Sequence, residues 1–188
     1  MACGIIAIGA SWGGVHAVGV VLRGLPGDLP VPIVIAQHRG RESPTRLSEA
    51  LGRGAEISVI EANDKDTPEP GHAYLAPPGY HLLVERGSLS LSTDDQVRFS
   101  RPSIDVLFES VADSFGEEAV GVILTGASDD GAAGLARIRR RGGVTIVQEP
   151  ATAERRTMPD AALASGQAHR VLSLDEIAPF LAKVCGQG

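Results

Sequence analysis

The sequence predicts an α/β fold: a doubly wound, three-layer αβα arrangement on a mostly parallel sheet. Three observations predict it. Short, continuously apolar runs recur along the chain, as in strands buried on both faces. Patterns of helical period stand between them, and this alternation is the signature of a parallel sheet covered by helices. Glycine is frequent, 23 of 188 residues, which suits a fold with many tight strand-to-helix turns.

The elements are read in chain order. Gly4 to Gly9 (GIIAIG) reads as a buried strand, followed by a helix from Gly13 to Arg23 that Gly24 and Pro26 end. Val31 to Ala36 (VPIVIA) reads as a second strand. Ser43-Pro44 supplies a helix start, Ser as N-cap and Pro at the first helical position, and this helix runs to about Arg53. Ile57 to Ile60 reads as a third strand. Residues 72–92 differ. His72 to Ala76, Tyr80 to Val84 and Ser88 to Ser92 are short pieces separated by Pro77-Pro78-Gly79 and Glu85-Arg86-Gly87, which predicts a half-buried antiparallel meander. Thr93 to Arg101 is polar and reads as a surface loop. A helix then opens at Arg101-Pro102-Ser103, with Ile104, Leu107, Phe108 and Val111 on one face. Ala119 to Leu124 is a strand, Asp129 to Arg141 a helix closed by Gly142-Gly143, and Val144 to Val147 a strand. Thr157-Met158-Pro159 opens a helix, Val171-Leu172 is the last strand, and Ser173 to Val184 closes the chain as a helix.

Bulk properties exclude several function classes. The net charge of -6, with no basic stripe among aromatics, argues against a nucleic-acid partner. Arg139-Arg140-Arg141 reads as a solvated helix end. Cys3 and Cys185 are far apart and lack metal-ligand spacing, so the expectation is two reduced thiols in a cytosolic protein. The apolar N-terminus lacks a charged leader pattern and is broken by glycines. No stretch approaches transmembrane length, so no direct membrane insertion is expected.

Ligands of an open parallel sheet bind beyond the carboxyl ends of its strands. After the first strand stands Gly9-Ala10-Ser11-Trp12-Gly13, a G-x-S-x-G pattern that would expose the Ser11 hydroxyl at a helix N-terminus suited to an oxyanion. A glycine-rich turn with Ser11 as a helix cap would look similar. After the second strand stands His38, in the place of a general base or of an ordinary surface histidine. After the strand at 119–124 stand Asp129 and Asp130; each could cap the following helix, or one could fix the tautomer of His38 and stabilise its imidazolium. The combination says more than each part: Ser, His and Asp each follow a separate buried strand at one sheet edge. The other histidines fit less well, His16 lying in a helix, His72 and His81 in the meander, and His169 at the opposite end of the sheet. A dinucleotide-binding reading fails because Ser11 stands where G-x-G-x-x-G needs its middle glycine. A standard α/β-hydrolase would need its strand order permuted. The residue after an elbow nucleophile often donates to the oxyanion, which makes the Trp12 N–H a candidate.

These motifs resemble the catalytic domain of the protein-glutamate methylesterases of bacterial chemotaxis. The resemblance runs through IAIGASWGG (6–14), IAQHRG around His38, YLAPPGYHLLV (74–84), RPSIDVLFESVA (101–112), ILTGASDDGAAGL (123–135) and GGVTIVQEPATAERRTMPDAAL (142–163). It implies Ser11 as nucleophile, His38 as base and, from the aspartate preceding Gly-Ala in the family motif, Asp130 rather than Asp129 as the acid. It implies hydrolysis of glutamyl γ-methyl esters on the cytoplasmic domains of methylated chemoreceptors, with deamidation of particular receptor glutamines as a second activity. No metal or organic cofactor is implied, and the expected location is the cytoplasm. Trp12 stands where the family commonly has Thr, Gly126-Ala127-Ser128 where it has Gly-Met-Gly, and Arg39-Gly40 where it has Met-Pro. Trp12, Gly13 and Ala127 are therefore the candidates for the oxyanion site or substrate pocket. The reading takes 1–188 as a single catalytic domain without the family's receiver domain: either an excised domain, or a stand-alone esterase whose control would come from a separate receiver protein or not exist. Two alternatives stay open: a carboxylesterase of the same mechanism with another substrate, and a non-catalytic signalling or binding module on the same fold.

Overall fold

The computed structural model describes residues 3–40 and 46–186. Seven strands form one parallel sheet: β1 (Ile5–Ala10), β2 (Ile33–Gln37), β3 (Ser58–Glu61), β4 (His72–Leu75), β7 (Ala119–Ile123), β8 (Val144–Gln148) and β9 (Arg170–Leu172). Their order is β3-β4-β2-β1-β7-β8-β9. Between β4 and β7, β5 (His81–Glu85) and β6 (Ser88–Ser92) pair as an antiparallel hairpin.

The pleat of β1 divides the core in two. Ile6 and Ile8 point to a face covered by α1 (Gly14–Arg23), α2 (Leu47–Gly52) and α6 (Leu174–Cys185), through Val18, Leu22, Leu51, Ile177 and Leu181. Ile5 and Ala7 point to the other, covered by α3 (Ile104–Phe115), α4 (Ala132–Arg140) and α5 (Thr157–Ala164). The hairpin stacks on α3, where Ser110 and Ser114 bond its backbone at Val84 (3.0 and 2.8 Å). Continuous apolar runs follow from this geometry, because both faces of each central strand are dry.

Three expectations change. The antiparallel part is only the hairpin at 81–92. Residues 72–75 instead run parallel between β2 and β3, and Ala73, Tyr74 and Leu75 are buried on both sides rather than alternating. Helix α4 starts at Ala132, leaving Asp129 and Asp130 in the turn before it. Cys3 and Cys185 are not reduced thiols but a disulfide, with Cα atoms 5.0 Å apart. Helix α6 returns across the sheet face until its last residue meets the start of β1, a closeness that sequence separation hides. The expected start of the second helix at Ser43-Pro44 lies outside the described residues.

The disulfide closes a loop of 182 residues, for which the chain-entropy account gives a stabilisation of about 2–5 kcal/mol. Replacing both cysteines by serine should lower the thermal midpoint by several degrees, and added reductant should lower the wild-type midpoint to the same value.

Candidate active site

Strands β2, β1 and β7 end side by side, where the strand order turns back about β1. Register fixes the residue that stands beyond each end. Ala10 pairs with Gln37 and Gly9 with Ile123. Beyond them, the His38 N–H donates to the Ala10 carbonyl (2.9 Å), and the Ser11 N–H donates to the Thr125 carbonyl (3.0 Å). Ser11, His38 and Thr125 thus form one row across three strand ends. Gln37, buried below them, donates from Nε2 to the carbonyls of Ser11 (2.8 Å) and His38 (3.0 Å) and ties two of these ends together.

The glycines of the turn act in different ways. Gly13 carries the left-handed conformation (φ 77°) that lets the chain enter α1, so the sharp turn is made there and not at Ser11. Gly14 is needed for close approach, since a Cβ would stand 2.0 Å from Gln37 Oε1. Trp12 is 57% exposed. Its indole N–H donates to Glu154 Oε1 (2.9 Å), and the Arg155 guanidinium lies 5.3 Å from its ring centroid, so the ring is pinned beside the turn.

The imidazole of His38 lies with Nε2 2.7 Å from Oδ2 of Asp130. Asp130 is fully buried and also accepts from Ser103 Oγ (2.9 Å) and from the N–H groups of Ile104 (2.7 Å) and Asp105 (3.0 Å), at the start of α3. Burial works against the ionised carboxyl. The hydrogen bonds from His38, Ile104 and Asp105 outweigh it and hold the Asp130 pKa below its ordinary value. A carboxylate only accepts, so Nε2 carries the proton and Nδ1 is left as the free base. Nδ1 stands 3.4 Å from Ser100 Oγ. Among the described residues Ser11 Oγ makes no hydrogen bond to His38. Nor does any acceptor occupy the N–H of Trp12, Gly13 or Ala127, while the Gly126 N–H is taken by the Arg155 carbonyl (3.0 Å).

Asp105 answers Asp130. From the first turn of α3 it accepts the N–H groups of Gly131 (3.0 Å) and Gly134 (2.7 Å) at the start of α4, and Arg98 Nε donates to it (3.0 Å). Burial, with the nearby Asp130 charge adding to it, pushes its pKa up. Asp129 turns outward to pair with Arg98 and takes no part in the row. His169 lies near the start of β8, where its Nδ1 accepts the Thr145 N–H, at the opposite end of the sheet. No cluster suited to a metal ion occurs among the described residues.

Sequence reasoning did not find Gln37, Ser100, Ser103 or Asp105 as parts of this site. Ser103 and Asp105 had a signal, the helix start at Arg101-Pro102-Ser103, but nothing in it says which carboxylate the helix N-terminus faces. Ser100 sits in a polar loop that no period or motif marks.

Comparison with known proteins bears on this arrangement. A family model described as CheB methylesterase matches residues 6–181. A putative protein-glutamate methylesterase/protein-glutamine glutaminase of Leptospira interrogans is 43% identical over 95% of this chain and 93% of its own length. A protein of the same activities by name, from Geobacter metallireducens, is 41% identical over 97% of this chain, which spans only 52% of that relative. The crystal structure of the Thermotoga maritima CheB methylesterase catalytic domain superposes with a TM-score of 0.92 at 29% identity, covering 98% of this chain and all of that one.

Asp130→Ala would leave buried donors at the start of α3 without an acceptor, and should cost about 3 kcal/mol of stability in urea unfolding. The sign of the pH effect comes from the lowered pKa. The stabilisation is complete above the ordinary aspartate pKa and is lost as pH falls through the lower value of the folded state. The stability gap between wild type and variant should therefore narrow in acid.

Proposed function

We propose that this chain, which belongs to the CheB methylesterase family, is a serine hydrolase that removes methyl groups from glutamyl γ-methyl esters of chemoreceptors, with residues 1–188 acting as one catalytic unit. The observation that carries the reading is the buried Asp130 carboxylate on His38 Nε2, beside the strand end that bears Ser11. Nδ1 of His38 takes the Ser11 proton as Oγ attacks the ester carbonyl. Asp130 stabilises the imidazolium. The open N–H groups of Trp12, Gly13 and Ala127 supply donors for the oxyanion that forms. Collapse returns the proton to the leaving methoxide, methanol departs, and water then cleaves the glutamyl–Ser11 ester to the free glutamate. With a glutamine side chain the same steps release ammonia. Nucleophile-to-base contacts of unliganded sites are commonly long and close only in the substrate complex.

The proposed location is the cytoplasm, where receptor signalling domains lie; among the described residues no helix is long and apolar enough to cross a membrane. A second reading is favoured by Trp12, pinned by Glu154 and Arg155 at the rim of the site: the same mechanism acting on another ester.

Methanol release from methylated chemoreceptor membranes tests both. Wild type should release methanol and Ser11→Ala should not. Hydrolysis of small esters without any release from receptor would overturn the first reading and favour the second. Ser11→Ala, His38→Ala and Asp130→Asn should each lower kcat by roughly 10⁴-fold, and the double variants should lose little more, because the three act as a unit. The rate should also fall on acidification, because a base that already carries a proton cannot accept the one from Ser11.

A further inference from the structure

Beside His38, at the end of the row away from Thr125, lies a cavity of about 380 Å³ walled by His38, Arg39, Gln96, Phe99, Ser100 and Arg101. Among the described residues no acidic side chain lines it. The Arg39 side chain is only 3% exposed, and an ion pair joins its Nη2 to Glu61 Oε1 (2.6 Å). Among the described residues its buried Nε and Nη1 have no hydrogen-bond partner, and Arg101 Nε is in the same condition. Arg101 spends Nη1 on the carbonyls of Thr93 and Asp94 (2.5 and 2.7 Å). The third arginine of this region, Arg98, is committed to Asp105 and Asp129.

Buried guanidinium donors are seldom left open, because an unmade hydrogen bond to a charged group forfeits its full solvation. A carboxylate oxygen received by an open guanidinium donor removes part of that deficit through a charge-assisted hydrogen bond. Glu61 offsets the Arg39 charge, while Arg101 makes no ion pair among the described residues and donates only to backbone carbonyls.

We propose that this cavity is a carboxylate subsite, in which Arg39 and Arg101 hold a free acidic side chain of the substrate protein close to the ester-bearing residue. The proposal rests on the methylesterase reading above and extends it. A neutral ester enters the Ser11 row while an ionised neighbour is held beside His38, so the enzyme would read an ester and an acid together.

The test uses helical peptides that carry one γ-methyl glutamate, with a single Glu or Gln moved through the neighbouring positions of the helix. Wild type should prefer Glu over Gln in at least one register by roughly ten-fold in kcat/KM, expressed in KM. Arg39→Gln should erase that ratio, and Arg39→Lys should restore part of it. No preference in any register, or an Arg39→Gln variant that slows Glu and Gln peptides alike, would overturn the subsite. Glutarate binding, followed by NMR of the His38 ring, gives a readout independent of turnover. Saturable binding in wild type that weakens at least ten-fold in Arg39→Gln supports the subsite even if no methyl ester is cleaved, in which case only the methylesterase reading fails. Equal binding, or none in wild type, overturns it. Thermal unfolding of each variant establishes that the comparison is between folded proteins.

Discussion

The buried carboxylate of Asp130 is the group on which the site depends. It gathers four donors: His38 Nε2, Ser103 Oγ and the N–H groups of Ile104 and Asp105. Two of them, the N–H groups of Ile104 and Asp105, are first-turn amides with no acceptor inside α3. Asp105, in turn, accepts the N–H groups of Gly131 and Gly134 at the start of α4. Each of two adjacent helices thus has its N-terminus satisfied by a carboxylate that belongs to the other's entry. The positive ends of both dipoles favour the charges they meet. The arrangement is not symmetric in energy. Asp130 gains enough hydrogen bonds to stay below its ordinary pKa, while Asp105 is pushed up by burial and by Asp130 itself. Arg98 offsets part of that conflict.

This constraint reaches the loop between the hairpin and α3. Arg98 and Phe99 both adopt left-handed backbone (φ 49° and 62°), a conformation that costs about 1–3 kcal/mol for a side-chain-bearing residue. The ion pairs of Arg98 to Asp105 and Asp129 hold it there. The outcome is that Ser100 arrives beside His38 Nδ1, Arg101 closes the neighbouring cavity, and Phe99 is left 96% exposed at the rim. Loop, carboxylate pair and imidazole are thereby parts of one polar network.

Around Ser11 the controlling factor is space rather than charge. The side chain of Gln37 lies against Gly14, and a Cβ at Gly126 would stand 3.0 Å from Ser11 Cβ and 2.6 Å from Met158 Cε. Thr125 Oγ1 lies between the carbonyls of Trp12 (2.9 Å) and Arg155 (3.2 Å), joining the turn after β1 to the segment before α5. A larger residue at Gly14 would displace Gln37 from the carbonyls it ties together, and one at Gly126 would press on Met158 and Ser11.

The sequence by itself determined the layers and the edge at which chemistry could occur. Short apolar runs rich in Ile and Val and bounded by turn residues read as strands buried on both faces, and a parallel sheet sends every strand's carboxyl end to one side, so Ser11, His38 and the Asp129-Asp130 pair were legible as candidates from the sequence. What tertiary structure decided depends on side-chain direction and on long-range closure. Asp130 rather than Asp129 faces His38, because the turn into α4 sends the first carboxylate outward to Arg98 and the second inward to α3. Residues 72–75 joined the parallel sheet because burial on both faces outweighs the local turn signals around them. The Cys3–Cys185 bond, the open donors of Arg39 and the contact of Ser100 with His38 have no local signature at all. They arise where elements far apart in sequence close on one another, and local period and propensity carry no information about that meeting.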